Sequence, residues 1–132
     1  MKIEKTNKDD HEILTEITKK SKAYWGYSVE QILEWNDNLT ISENYIVDNY
    51  SFKLINNSKI IGYYSYIENA EMNVKLDNLF ILPEYIGKGF GKYLMTDFLN
   101  RMKKNNYKSI TVDSEPNAEK LDLKKLVNLS HQ

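Results

Sequence analysis

The stretch that most constrains the fold of this chain runs from Leu76 to Leu99 and reads LDNLFILPEYIGKGFGKYLMTDFL. Its apolar run at residues 79–82 is stopped by Pro83, which is typical of a buried strand that ends there. Three glycines follow at alternate positions, 87, 89 and 91, and apolar residues then recur at helical spacing. The sequence therefore predicts a strand, a glycine-rich turn and a helix, in that order.

This order of elements favours an anion site. The first N–H groups of a helix have no partner within the helix, and they point outward at the positive end of its dipole. Glycines also allow the main chain to approach a phosphate closely. The stretch is therefore a candidate phosphate cradle.

Two familiar phosphate-loop patterns fit the stretch poorly. A Walker A loop has Ser or Thr after its Gly-Lys pair, but Gly91-Lys92 is followed by Tyr93, and Ile86 stands where the first glycine belongs. A dinucleotide fingerprint has two residues between its second and third glycines, whereas only Phe90 separates them here. Asp113 does lie where a ribose-binding acid would belong, about 20 residues further on.

The stretch resembles instead the acetyl-CoA-binding motif of the GNAT superfamily of N-acyltransferases, Arg/Gln-x-x-Gly-x-Gly/Ala. On this chain the motif falls at Ile86-Gly87-Lys88-Gly89-Phe90-Gly91, and the preceding LFILPEY also matches the family. The resemblance covers residues 1 to 120. One departure is that Ile86 occupies the Arg/Gln position, so we expect cofactor binding to be weakened but not abolished, because main-chain N–H groups carry much of it. The alternative is a glycine turn that only joins strand to helix.

The resemblance implies a fold and a cofactor site for acetyl-CoA. The expected fold is α/β, with a mixed, mostly antiparallel sheet flanked by helices, in a single domain over residues 1–132. Two neighbouring parallel strands of the sheet would splay apart, and the pantetheine would lie in the gap against Phe80, Ile81 and Leu82. The residues expected around the pyrophosphate and elsewhere on the cofactor are Ile86, Gly87, Lys88, Gly89, Phe90, Gly91, Lys92 and Asn117.

The resemblance also suggests where acetyl transfer to an amine would take place. Asp77 lies on the cofactor strand, where family members often carry a glutamate, and is the candidate general base. Tyr24, Trp25 and Tyr27 lie at the end of the first predicted helix and are candidate contacts of the acceptor. In the family, a tyrosine usually acts as the general acid that protonates the leaving thiolate. The matching position here holds Asp122, and an ionised aspartate is a poor proton donor.

Hydrophobic periodicity predicts the remaining elements of the fold. Residues 45–47 and 51–55 are predicted strands, the second of which pairs across a turn at 56–58 with a long strand at 59–67. Residues 109–113 are predicted to form the last strand, parallel to the one that ends at Pro83. Asn117 would open a terminal helix with no strand after it, which leaves a sheet edge exposed. Either a partner subunit in a homodimer or the chain's own tail is then expected to cover that edge.

Composition excludes several classes of function. The chain of 132 residues has no cysteine, and His11 and His131 lie at opposite ends of the sequence, so no metal site is expected. A net charge of −1 gives no reason to expect a nucleic-acid partner. No apolar run approaches the roughly 20 residues of a membrane span, and the amino terminus is unlike a signal peptide, so we expect a cytoplasmic protein.

The sequence therefore predicts an enzyme that transfers an acetyl group from acetyl-CoA to a primary amine of a small molecule or peptide. The alternative is a shortened, catalytically impaired relative that serves as a CoA-binding or protein-interaction module. Ile86, Asp122 and the short carboxyl end favour this alternative. A purely structural dimer module is the third class, and it would not bind CoA.

Overall fold

The structure is a computed structural model, and it describes residues 1–24, 30, 39–112 and 119–122. Within these residues, one sheet contains six strands, and each strand pairs with the next one along the chain. The strands are β1 (Lys2–Lys5), β2 (Tyr50–Asn56), β3 (Lys59–Asn69), β4 (Asn73–Ile81), β5 (Ser109–Val112) and β6 (Glu119–Asp122). The helices are α1 (His11–Tyr24), α2 (Glu43–Asp48) and α3 (Phe90–Lys104), and 3-10 turns occupy Lys8–Asp10, Ala70–Met72 and Pro83–Tyr85.

The strand pairing is antiparallel throughout this sheet except between β4 and β5, which are parallel and joined by α3. A parallel pair needs such a crossover, because a short turn cannot return the chain to the same end of the sheet. The β2–β3 hairpin turns at Asn57 and Ser58, which both have positive φ. The predicted mixed, mostly antiparallel sheet flanked by helices is confirmed.

The two faces of the sheet bury two separate cores. The face covered by α3, here called the α3 face, contains Tyr64 and Tyr66 of β3, packed with Phe98 of the helix. The opposite face, here called the α1 face, buries Tyr63 and the helix residue Leu14. Side chains of neighbouring residues on a strand point to opposite faces, so β3 contributes a buried tyrosine to each core. These two cores hold β3 and β4 rigidly between α1 and α3.

The prediction of a strand at residues 45–47 is wrong, because these residues lie in the helix α2. The main-chain N–H of Tyr45 donates to the Ser42 hydroxyl at 3.0 Å, so Ser42 caps the first turn. Within α2, Ile46 is buried, whereas Val47 is 67% exposed. Three consecutive apolar residues are too short a run to distinguish a strand from one helical turn.

The prediction of a terminal helix with no further strand is also wrong. Residues 119–122 form β6, which pairs antiparallel with β5 along its whole length. Asp122, which the resemblance matches to the tyrosine that protonates the leaving thiolate, therefore lies on this strand, where it pairs with Ser109. The pairing supplies hydrogen-bond partners to an edge that would otherwise be bare. Of the two expected covers for that edge, the chain's own tail provides it.

Candidate active site

The glycine-rich segment links β4 to α3, as the sequence predicts. After β4 the main-chain N–H of Leu82 still donates to Ile61 O of β3 at 2.8 Å, and the 3-10 turn then redirects the chain. Gly87 and Gly89 have φ of 84° and 87°, a region that side chains other than glycine rarely adopt. Gly89 is the N-cap of α3. The two glycines therefore allow the main chain to turn sharply between β4 and the first turn of α3.

This loop has the chemistry of a phosphate cradle. The main-chain N–H groups of residues 87–92 donate no hydrogen bond of standard geometry within the described part of the chain. They gather at the positive end of the 15-residue helix α3. A Cβ added at Gly87 or Gly89 would meet nothing within 4 Å, so the space beside both residues is open. The residues present thus fit a bound phosphate group.

Two lysines add positive charge beside the loop. The ammonium groups of Lys59 and Lys88 lie 5.9 and 5.7 Å from the centre of the Tyr85 ring, within the range of a cation–π contact. Tyr85 packs edge-on against Phe90 at the first turn of α3. Both cations therefore lie near Tyr85, which precedes the glycine-rich segment, and their positive charge favours an anionic ligand in this region.

Among the described residues, the pairing between β4 and β5 ends before the glycine-rich segment. The two strands pair only between residues 73–76 and 109–112, whereas residues 77–81 of β4 have no described partner on that side. The Leu82 N–H points toward β3, so alternation along the strand directs the main-chain groups of Ile81 and Leu79 toward the β5 side. Of the three predicted pantetheine residues, Ile81 thus directs its main chain toward the β5 side. The Phe80 and Leu82 side chains pack on the α1 face.

Asp77 occupies a β-bulge directly after the last described pair of β4 and β5, Leu76 with Val112. Ser65 of β3 pairs with Asn78, and the next residue, Tyr66, pairs with Leu76, so Asp77 has no partner of its own. A bulge breaks the alternation of side chains, and here both Asp77 and Asn78 reach partners on the α1 face. The bulge therefore places a carboxylate at the start of the stretch of β4, residues 77–81, that has no described partner on the β5 side.

A polar network holds Asp77 on this face. The Tyr45 phenol of α2 donates to Asp77 Oδ2 at 2.5 Å and lies 2.9 Å from Ser65 Oγ. The Asn78 amide donates to Ser65 Oγ at 2.9 Å. Burial, followed by the hydrogen bond to Asp77, raises the pKa of Tyr45 well above its usual value, because ionisation would place a second negative charge beside the carboxylate. Tyr45 therefore remains a hydrogen-bond donor over the working pH range.

The other predicted site residues are only partly described. Tyr24 is the last residue of α1 and is 54% exposed. Trp25, Tyr27 and Asn117 lie outside the described residues. On the α1 face, the Lys22 ammonium stands 5.4 Å from the centre of the Phe80 ring. The described residues contain no group of three or more potential metal-ligating side chains and no helix long and apolar enough to cross a membrane.

The sequence reasoning missed Tyr45, Ser65 and Asn78, which surround Asp77. Tyr45 was assigned to a strand, and Ser65 lies within an apolar strand as a fully buried hydroxyl. Asn78 follows Asp77 directly and would have been placed on the opposite face by simple alternation. The one signal that could have indicated this network is Ser65, a polar residue at a buried position of a strand.

Comparison with known proteins supports the fold and identifies the family. No curated protein matches the chain in sequence. Among solved structures, the PaiA N-acetyltransferase of Thermoplasma acidophilum, in complex with coenzyme A, has a TM-score of 0.74 at 24% identity, with 99% of this chain and 86% of that chain covered. A GNAT family acetyltransferase of Brucella melitensis, in complex with acetyl-CoA, has a TM-score of 0.70 at 15% identity, with 92% and 86% covered.

A third neighbour acts on a protein substrate. The ribosomal-protein-S18-alanine N-acetyltransferase of Escherichia coli has a TM-score of 0.64 at 14% identity, with 98% of this chain and 74% of that chain covered. At this level of identity, the three likenesses support the fold. The family model described as Acetyltransferase (GNAT) domain matches residues 16–121, most of the chain. The chain therefore belongs to the GNAT acetyltransferase family.

Proposed function

We propose that this protein transfers the acetyl group of acetyl-CoA to a primary amine of a small molecule or peptide. The observation that carries the proposal is that one continuous segment joins three features: the Asp77 bulge, the stretch of β4 at residues 77–81 that has no described partner on its β5 side, here called the open edge, and the glycine loop. Family membership supports acetyl transfer in general, and the proposal adds the kind of acceptor and the residues involved.

The cofactor would lie along this segment. The N–H groups of residues 87–92 would bind the pyrophosphate, with Lys88 close by. The open edge at Leu79 and Ile81 would pair with the amides of the pantetheine, as a neighbouring strand would. Ile86 contributes no side-chain donor, so the main chain carries the phosphate contacts here. When bound, acetyl-CoA supplies an activated acyl group on sulfur.

The chemistry at the amine needs a proton acceptor and an oxyanion donor. Asp77 is held in the bulge at the start of the open edge, so its carboxylate would bind an incoming ammonium group and take a proton from it, directly or through water. A free main-chain N–H on the open edge of β4 is the group best suited to stabilise the developing oxyanion. Both groups are held by the sheet, so they need little reorganisation during the reaction.

The competing proposal is a catalytically impaired relative that binds CoA or a protein partner. The observations that favour it concern two residues. Ile86 replaces the Arg/Gln of the resembling motif, and Asp122, which the resemblance matches to a tyrosine that would protonate the thiolate, lies on β6 opposite Ser109, at the end of β5 away from residues 77–81 of β4. A binding module would be stabilised by CoA but would not turn acetyl-CoA over. Turnover therefore separates the two proposals.

The experiment measures the release of free thiol from acetyl-CoA with a panel of primary amines, including polyamines, aminoglycosides and short peptides. We expect amine-dependent release by the wild-type protein and a loss of about a hundredfold in Asp77→Asn, in keeping with the loss of a general base. The matched control is Asp97→Asn, because Asp97 is also bonded to a tyrosine, Tyr64, but on the α3 face. Stabilisation by acetyl-CoA without any thiol release would favour the binding module.

A further inference from the structure

The network around Asp77 has a single direction of hydrogen bonding. An ionised carboxylate only accepts, so the one hydroxyl hydrogen of Tyr45 points to Asp77 Oδ2. Ser65 must then donate its own hydrogen to the Tyr45 oxygen, 2.9 Å away. Asn78 in turn donates an amide hydrogen to Ser65 Oγ. Hydrogens are therefore donated from Asn78 to Ser65, from Ser65 to Tyr45 and from Tyr45 to Asp77, which only accepts; the Asn78 amide also lies 3.4 Å from the Tyr45 oxygen and from Asp77 Oδ2.

We propose that Tyr45 is the positioning residue of the Asp77 carboxylate, engaging Oδ2 and leaving Oδ1 to face the acceptor ammonium. This inference rests on the proposed function, because it gives Asp77 its role toward the amine. Within the described residues, every hydrogen bond to this carboxylate reaches Oδ2. The 2.5 Å contact is charge-assisted, and such bonds are the strongest that side chains make. The carboxylate is thus prevented from rotating away from the gap.

Tyr45 suits this role because its helix is anchored on both sides. Just before α2, the Ile41 N–H donates to Thr15 Oγ1 of α1 at 2.8 Å. The Ser42 hydroxyl caps the first turn, and Ile46 is buried on the α1 face. A positioning group works only if it is itself held in place by its surroundings. These contacts hold the Tyr45 phenol in a fixed position relative to α1.

The neighbouring buried tyrosine does not share this role. The Tyr63 hydroxyl lies 2.5 Å from Thr18 Oγ1 of α1 and has no hydrogen bond to Asp77. The Lys22 ammonium stands on the Phe80 ring, three residues along the strand from Asp77. Among the described side chains, Tyr45 therefore makes the one short contact to the carboxylate.

The test uses Tyr45→Phe, with Tyr64→Phe as its matched control. Both variants remove a phenol that donates to an aspartate, but the Tyr64–Asp97 pair, at 2.7 Å, lies on the α3 face. We expect Tyr45→Phe to lower kcat for amine acetylation by about tenfold or more, with the KM for acetyl-CoA unchanged. We expect Tyr64→Phe to leave kcat unchanged. Urea unfolding of both proteins shows whether their losses of stability are comparable.

Two further variants separate positioning from a structural role. In the Asp77→Asn background, Tyr45→Phe should have no additional effect on kcat, because Tyr45 acts only through the carboxylate. Ser65→Ala removes the donor that orients the phenol and should lower kcat less than Tyr45→Phe, again only when Asp77 is present. These readouts remain informative even where one variant is poorly folded.

The outcomes distinguish this inference from the proposed function. A wild-type protein that releases no thiol with any amine overturns the proposed function and this inference with it. An active wild type in which Tyr45→Phe and Tyr64→Phe have the same kcat overturns the inference alone. Additive losses in the Tyr45→Phe, Asp77→Asn double variant also overturn it, because they would mean that Tyr45 acts independently of Asp77.

Discussion

Gly62 of β3 is a position where adding one methyl group has a calculable consequence. A Cβ at Gly62 would lie 2.8 Å from the main-chain oxygen of Phe80, 3.2 Å from Ile81 Cγ1 and 3.3 Å from Leu94 Cδ1. The first atom belongs to the backbone of β4 and cannot rotate aside. Gly62→Ala therefore forces β4 or α3 to shift, and overpacking of this kind costs about 1–3 kcal/mol.

The effect of the substitution on the unfolded chain partly offsets this loss of stability. Alanine restricts the unfolded chain more than glycine does, which returns about 0.5–1 kcal/mol to the folded state. The net expectation for Gly62→Ala is a loss of about 1–2 kcal/mol in the free energy of unfolding. Because β4 carries the open edge, the affinity for acetyl-CoA should also fall.

The matched control is the same substitution at Gly91, in the first turn of α3. A Cβ there would meet only Ile81 Cδ1, at 3.7 Å, which is an ordinary contact. Alanine also favours the helix, so Gly91→Ala should leave the free energy of unfolding unchanged or raise it by up to about 1 kcal/mol. Urea unfolding followed by circular dichroism measures both variants. A Gly62→Ala protein as stable as the wild type would refute the packing argument.

Three further predictions concern stability. Asp10→Ala should lower the free energy of unfolding by about 3 kcal/mol, because it removes the carboxylate that lies 2.7 Å from the ammonium of Lys53, a side chain that is only 9% exposed. Adding Lys53→Met should recover most of this loss in urea unfolding. A double variant no more stable than Asp10→Ala would contradict this prediction. Ser58→Gly should raise the free energy of unfolding by about 0.5–1 kcal/mol, because Ser58 has a φ of 65°, which glycine adopts without strain. Lys59→Gly, within β3, should lower it. A Ser58→Gly protein less stable than the wild type would show that the turn is not strained. Burial raises the pKa of Tyr66 from 10.0 to about 12, so the unfolded chain loses this proton first and stability falls as the pH rises above 10. Tyr66→Phe should therefore unfold at a higher pH in an alkaline titration, and identical curves would rule out this tyrosine as the cause.

The parts of the site that could be predicted from the sequence are those in which local backbone demands restrict the residue type. Gly87 and Gly89 adopt positive φ, and that requirement leaves a visible glycine pattern. Pro83 ends β4, and the apolar spacing after Gly91 marks α3. Each of these signals lies within a few residues of the feature it reports. The cradle could therefore be predicted without any tertiary information.

The parts that could not be predicted depend on pairing between distant segments. The bulge at Asp77 exists only relative to β3, and nothing in the local sequence marks an extra residue. Tyr45 reaches Asp77 across 32 residues from a helix of only six. The strand β6 is stabilised by its pairing with β5, which overrides a weak helical pattern. Long-range contacts of this kind determine which side chains surround Asp77.

The central claim is that the glycine loop and the open edge of β4 bind acetyl-CoA, and the most direct test is a calorimetric titration of the wild-type protein and Gly89→Ala. Alanine at this φ of 87° should cost about 1–2 kcal/mol in stability and misalign the N–H groups of the loop. We expect saturable 1:1 binding to the wild type, weak binding of ATP, which lacks the pantetheine, and at least tenfold weaker acetyl-CoA binding to Gly89→Ala. No binding to the wild type, or equal affinity in the two proteins, would contradict the account.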